Sequence, residues 1–323
     1  MTAGPPGLDP AGLAAGLAAA GVPVERDVPV AELTTYRVGG PVAVLARVDS
    51  PGQLAALAGA LADAVPPILV IGRGSNLLVA EAGFPGLGLA LGPGFETIDL
   101  TPGGAVVRAG GAVPLPVLAR RAAGAGRAGL EFFVGIPGSV GGAVRMNAGG
   151  HGRETADVLI DADIVDLAAG GAAGATRRAA ADLAFGYRRA AVGPTEVVTG
   201  ATFRTAPGTA AQCEAIVADI VRWRREHQPG GSNAGSVFAN PPGDSAGRII
   251  DSLGLKGLRV GGAVVSAKHA NFFQAEAGAS ADDVHALVAE VRRRVLDATG
   301  IALVPELRMV GFDDSGLLEG GPG

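Results

Sequence analysis

Two glycine-dense stretches hold the residue types best suited to chemistry. In "ILVIGRGSNLLVAEAGFPG" (68–86), Gly72, Gly74, Ser75 and Asn76 follow directly on an apolar run. A turn there presents several backbone N–H groups in one concavity. Ser and Asn add small polar groups without bulk, a combination that suits a phosphate. On local chemistry alone a plain strand-to-loop turn accounts for the same residues equally well. The stretch is not a Walker loop, since no GxxxxGKS/T occurs in the chain, nor does it spell GxGxxG. The second stretch, "GIPGSVGGAVRMNAGGHGRET" (135–155), has so little bulk that it reads as a poor helix and a weak strand. Such bare backbone suits a flexible linker or a surface that a ligand approaches closely. Pro137 removes the freedom that glycine grants, which disfavours the linker. Two stiffened loops at strand ends could clasp the two phosphates of a dinucleotide through backbone donors, as neither contains lysine.

Three helices are announced by their first turns. Ser50, Pro51 and Gln53 open "SPGQLAALAGALADA"; Thr209 and Gln212 open "TAAQCEAIVADIVRWRREHQP"; Ser280 and Asp283 open "SADDVHALVAEVRRRVLDATG". In the last, Val284, Leu287, Val288, Val291 and Val295 keep helical spacing and Gly300 ends it. Strand-like runs occupy 43–48, 67–72, 105–110, 161–167, 196–205 and 306–312. This succession predicts an α+β fold. The Ala/Gly tract 168–181 reads as a loop or hairpin tip, and the tail "DDSGLLEGGPG" as disordered. A composition shift at Pro207 and Gly208 places a boundary between two lobes.

Composition narrows the function. Glycine is 53 of 323 residues, against a usual share of roughly 7%, so isolated glycines carry little weight. Lysine occurs only at Lys256 and Lys268. A net charge of −5 argues against nucleic acid as the main partner. The lone Cys213 excludes an internal disulfide and a cysteine zinc site, and the four histidines lack metal-ligand spacing, so no metal is expected. The first basic residue is Arg26, unlike a secretory signal. "PAGLAAGLAAAGVPV" is too short and too broken to span a bilayer. A soluble cytoplasmic protein without membrane partners is expected, with a monomer as the working unit.

Seven motifs in order point further: "TTYRVGG", "GRGSNLLV", "GLEFFVGIPGSVGGAVRMNAGGHGRE", "FGYRRA", "NAGSVFANP", "GLKGLRVGGAVVSAKHANFF" and "PELRMVGF". From about residue 31 to 312 the chain resembles the UDP-N-acetylenolpyruvoylglucosamine reductases, also called UDP-N-acetylmuramate dehydrogenases. The resemblance implies an FAD-binding lobe of the vanillyl-alcohol-oxidase (PCMH) type over 31–208, after an extension at 1–30. A C-terminal α+β substrate-binding lobe over 209–312 and the tail 313–323 follow. On the same ground Tyr36, Arg37, Gly39 and Gly40 open the flavin lobe. Gly72, Gly74, Ser75 and Asn76 take the pyrophosphate side, and Gly135, Ile136, Pro137, Gly138, Ser139, Gly142 and Asn147 form the second wall.

The implied chemistry is a two-stage reduction. NADPH gives a hydride to the flavin and leaves; the sugar nucleotide enters, hydride adds to the enolpyruvyl C3, and an acid protonates C2. That sequence needs positive charge at the substrate carboxylate and a proton donor at C2. Ser236 matches the family's proton donor, although a serine in a glycine turn is by itself a loop hydroxyl. Arg188 matches the arginine at the carboxylate, where a planar fork is well suited. Glu306 matches the catalytic glutamate, organising Arg188 or Ser236, whereas a strand glutamate in general faces solvent. Tyr187, Asn240, His227 and His269 fall on the substrate side.

The chain departs from the family at Ala239 and His227, where lysines are usual, and Arg224, Arg225 or Arg259 are expected to compensate. It resembles the shorter subtype, and with no tyrosine after Tyr187 a tyrosine lid is excluded. Two rivals stay open from sequence: an FAD oxidase of the same fold, unsupported by the serine and glutamate motifs, and a catalytically impaired flavin or UDP-sugar binder, suggested by the missing lysines.

Overall fold

The computed structural model describes residues 9–312 apart from 63, 102–104 and 173; the expected disordered tail lies outside the described residues. Two larger sheets build the first lobe. One runs Val24–Pro29, Pro41–Val48, Phe84–Leu91, Ile68–Val70, with its first pair antiparallel and the others parallel. The other is antiparallel throughout, in the order Thr176–Ala179, Leu159–Asp166, Glu196–Arg204, Val106–Gly110, Ile98–Asp99. Residues 9–29, expected as an extension, form the helix Pro10–Ala19 and the first of these strands. The second lobe is a three-stranded antiparallel sheet, Arg259–Val260, Ala263–Val265 and Phe273–Ala275, with helices Ala246–Ser252 and Ala281–Thr299. The content is α+β, as expected.

The three capped helices form where their signals stand. Ser50 Oγ accepts from Gln53 N at 3.2 Å; Thr209 and Ser280 each make a reciprocal capping box, and Gly300 closes the last helix at φ 72°. The five apolar residues of Ala281–Thr299 named above are fully buried in the second core. Each such burial contributes roughly 1.5–3 kcal/mol. The Ala/Gly tract does connect a hairpin, its far end pairing as Thr176–Ala179 with Leu159–Asp166.

Two features differ from the sequence reading. Inside the second glycine-rich stretch the chain forms the helix Val140–Arg145. Packing is close there: a Cβ on Gly141 would come within 3.0 Å of Val198 O on the neighbouring sheet and 3.2 Å of Gly111 O, tighter than side chains usually pack. The lobe boundary also moves. Ala210–His227, expected to open the second lobe, buries Cys213, Val217 and Ile220 in the core that contains Phe133, Val144 and Phe203. At the other end Arg308–Val310 leaves the second lobe to pair in parallel with Leu77–Val79. The second core in turn takes in Tyr36, Val38 and Leu78.

The segment with Ser236 is held by one buried side chain. Asn271 Oδ1 accepts from Phe238 N at 3.0 Å, its Nδ2 donates to Phe238 O at 2.8 Å, and its carbonyl accepts from Val237 N at 2.9 Å. Asn271→Ala orphans two buried backbone groups at about 1–3 kcal/mol each. A loss of about 2–4 kcal/mol in unfolding free energy is expected by urea denaturation; a change below about 0.5 kcal/mol would show that the amide does not hold this segment.

Candidate active site

A cleft of about 460 Å³ runs between the lobes. One wall is the first glycine loop, with Gly72, Gly74, Ser75 and Asn76; the facing wall is Gly135, Ile136, Pro137, Gly138, Ser139 and Gly142. Ser236, Arg188 and Glu306 line the same cleft, although they lie far apart in the chain. The two glycine loops touch: a Cβ on Gly72 would stand 2.5 Å from Ser139 Oγ. Gly74, at φ 58°, packs on Leu33 O and Thr34, where a Cβ would overlap at 2.1 Å and 2.6 Å. Gly138 and Gly142 are different. An added Cβ there meets nothing in the protein closer than 3.5 Å and 3.6 Å, so internal packing does not demand glycine. Both line the cleft, and their bareness keeps it open. Backbone donors beside a bare floor fit a flavin dinucleotide, whose pyrophosphate the first loop would hold and whose ring system the second would flank.

Glu306 organises the chemical end. Its carboxylate accepts a short hydrogen bond from the Tyr187 hydroxyl on Oε1 and one from Arg188 Nε at 3.3 Å on Oε2. Its side chain is only 9% exposed. Its backbone N–H donates to Val237 O at 2.8 Å, beside Ser236, and its carbonyl accepts from Asn76 Nδ2 at 3.0 Å. Burial, then the Glu306 carboxylate, push the Tyr187 phenol up to about 12, so it stays a donor. Tyr187 and Arg188 form the tip of a tight turn closed by Gly186 and Arg189, and Arg188 sits at φ 52°, in the left-handed region that non-glycine residues avoid. A smaller cavity of about 280 Å³ adjoins this end, bordered by Tyr187, Arg188, Ala239, Glu306 and Arg308.

The cleft favours anions. Besides Arg188 it is lined by Arg73, Arg145, Arg224 and Arg308. Burial lowers the Arg145 guanidinium from its usual value, with Arg308 adding to the effect, and burial lowers Arg224 as well. Two of the three lining carboxylates are already engaged, Glu306 as above and Glu196 by Arg178 Nη2 at 2.5 Å and Gly193 N at 2.5 Å; the third is Glu96. Arg145 and Arg308 were not singled out in the sequence, where one arginine among many gives no signal. Of the three arginines expected to compensate for lysine, Arg224 lines the cleft, while Arg259 is spent on Glu276 at 2.6 Å and 3.0 Å.

Other expected site residues lie elsewhere. Tyr36 is fully buried in the second core, its hydroxyl without a partner among the described residues. Gly39 and Gly40 pack against backbone, where a Cβ would meet Val79 O at 2.6 Å and Glu81 O at 2.1 Å. Arg37, at φ 58°, precedes them and is not part of the cleft lining. Asn147 is fully buried, with both ends of its amide bonded within the protein. Asn240 Oδ1 accepts from Ala246 N at 3.0 Å, ordering the start of Ala246–Ser252. His227 stacks on Trp223 at 4.6 Å and bonds its carbonyl through Nδ1. His269 Nδ1 accepts from Asn271 N at 3.2 Å, and burial followed by nearby Lys256 lowers its pKa. These side chains shape the elements around the cleft without lining it.

Comparison with known proteins agrees with this geometry. Residues 42–173 match the family model of an FAD binding domain, and residues 227–310 match the UDP-N-acetylenolpyruvoylglucosamine reductase C-terminal domain. The chain is 43% identical over 293 residues to the UDP-N-acetylenolpyruvoylglucosamine reductase of Synechococcus sp. (strain WH7803), covering 90% of this chain and 94% of that one. It is 42% identical over 311 residues to that of Azorhizobium caulinodans, covering 95% and 97%. The crystal structure of the enzyme from Thermus caldophilus superposes with a TM-score of 0.77 at 36% identity, covering 90% of this chain and 99% of that one. No described helix is long and apolar enough to cross a membrane. Similarity of this depth along nearly the whole chain, over a cleft shaped for a flavin, makes the chain a member of the UDP-N-acetylenolpyruvoylglucosamine reductase family, FAD-dependent oxidoreductases of peptidoglycan precursor synthesis.

Proposed function

We propose that Ser236, Arg188 and Glu306 carry the substrate half of an NADPH-driven reduction of the enolpyruvyl ether to the lactyl ether of UDP-N-acetylmuramate. The observation that carries this reading is their convergence on one cleft beside the two glycine loops. Bound FAD supplies the hydride for the enolpyruvyl double bond and regains it from NADPH. The residues of the chain handle charge and protons. Arg188, oriented by Glu306, binds the substrate carboxylate and stabilises the negative charge that builds up at C2. Ser236 donates the C2 proton. A serine is a very weak acid, so this works only toward a strongly basic enolate held close by. Glu306 is engaged by Tyr187 and Arg188, which suits an anionic organiser better than a proton donor. The further arginines of the cleft, Arg73, Arg145, Arg224 and Arg308, offer the positive field that a diphosphate substrate needs where Ala239 and His227 provide no lysine.

Ser236→Ala is expected to leave flavin reduction by NADPH unchanged and to slow reoxidation by the enolpyruvyl substrate by about 10²–10⁴-fold. Rapid-mixing absorbance of the two half-reactions reads both, and equal slowing would remove Ser236 as the acid. Arg188→Lys keeps the charge but loses the fork and the Nε bond to Glu306; about a 10–100-fold loss in kcat/KM for the sugar nucleotide is expected from steady-state rates.

Tyrosine ionisation gives an independent check, as Tyr36 and Tyr187 are the only tyrosines. Burial raises Tyr36 far above the usual 10.0, and Tyr187 is pushed up to about 12. The folded state therefore holds both phenolic protons more tightly than the unfolded chain. The stability this contributes is complete below pH 10; the share from Tyr187 is lost as pH rises through about 12, and that from Tyr36 at higher pH still. Absorbance at the phenolate band should show almost no tyrosinate in the native protein at pH 10, and about half-ionisation of both once it is unfolded in guanidinium.

A further inference from the structure

We infer that Asn147 is a positioning residue for Arg188, fixing the distance between the glycine-rich wall and the turn that presents the guanidinium. The inference rests on the role proposed above for Arg188. Asn147 ends the segment that forms the second wall and has no solvent exposure. Its Nδ2 donates to Gly186 O at 3.0 Å, and its Oδ1 accepts from Ala156 N at 3.0 Å. Those partners allow only one orientation of the amide, since rotating it would set oxygen against oxygen and N–H against N–H. Gly186 is the base of the turn with Tyr187 and Arg188 at its tip, and its carbonyl also accepts the closing bond from Arg189 N at 3.1 Å.

The turn is thus held at both ends. Glu306 of the second lobe holds the tip, through Tyr187 and Arg188. Asn147 holds the base, from the first lobe's wall. Arg145 adds a longer contact at 3.4 Å to Ala190 O. Such a double hold is what a strained turn needs: Arg188 at φ 52° would relax toward an ordinary conformation and swing its guanidinium away if the base were released. Asn147 itself has φ 42°, which asparagine tolerates better than most residues. Its burial and its two committed bonds leave it no contact with a ligand, so its influence on substrate runs through Arg188.

The test compares two ligands that differ at the group Arg188 would hold. UDP-N-acetylmuramate carries a lactyl carboxylate; UDP-N-acetylglucosamine lacks it. Calorimetric titration of the flavin-loaded protein should show Asn147→Ala raising the dissociation constant of the first about tenfold while leaving the second within about twofold. Asn147→Asp, which sets a carboxylate oxygen against Gly186 O, should change it in the same direction and further. Arg188→Ala should show the same selectivity, and the double variant should be no weaker than Arg188→Ala alone, because both changes act at one contact. Equal weakening of both ligands, or multiplied losses in the double variant, would mean a general structural role and overturn the inference. Normal binding by both Asn147 variants beside a selective defect in Arg188→Ala would overturn it while sparing the role of Arg188. An Arg188→Ala protein without the selective defect would instead remove that role, and the inference with it. If Asn147→Ala yields no folded yellow protein, the Asn147→Asp comparison decides on the same criteria.

Discussion

The carboxylate of Glu306 accepts hydrogen bonds from Tyr187 and Arg188 while its own peptide bonds to Val237 on one side and Asn76 on the other. Through this one residue the phosphate-type loop, the serine segment and the arginine turn are locked together. A buried carboxylate is costly unless it is paired and hydrogen-bonded, and here both of its oxygens are satisfied. The pairing explains how three stretches far apart in the chain can enclose a single small molecule. It also explains why the last strand belongs with the first lobe. Arg308–Val310 continues directly from Glu306, and its parallel pairing with Leu77–Val79 fixes the glutamate's height along the cleft.

The glycines show two physical reasons for the same residue. At Gly74 a side chain would collide with the backbone of Leu33 and Thr34, and at Gly72 and Gly141 it would crowd Ser139 Oγ and Val198 O. At Gly138 and Gly142 it would instead intrude on the cleft. The run that raises the question of bare backbone therefore has a mixed answer: part of it allows a short helix to lie close on a sheet, and part keeps a surface free for a ligand.

Much of this could be read from the residues, and what could not has a common cause. The capped helices, the strand runs and the α+β class followed from caps and periodicity, whereas the grouping of Gly72, Ser139, Ser236, Arg188 and Glu306 was implied only by the resemblance that the ordered motifs carry. Pro10–Ala19 and Leu115–Gly124 were missed: the first is Ala/Gly-rich and the second starts at Pro114 with no side-chain cap. Tyr36, Gly39, Gly40, Asn240, His227 and His269 stand in motifs yet do not line the cleft, because a motif marks a required residue without saying whether packing or chemistry requires it. Asn271 lay within a quoted motif, but its buried amide gave no sign in sequence of holding the serine segment. The lobe boundary differs because Ala210–His227 has an apolar face that fits either core by pattern, and only its burial in the core that contains Phe133 and Phe203 assigns it.

The parallel pairing of Leu77–Val79 with Arg308–Val310 has a consequence for synthesis on the ribosome. Some 230 residues separate Asn76 from its partner Glu306. At translation speeds of about 5–20 residues per second, this part of the first lobe waits on the order of 10–50 seconds for its last strand. A nascent chain can fold most of its first core during that wait, yet the pairing that seats Glu306 beside the first glycine loop forms only once Arg308–Val310 has emerged.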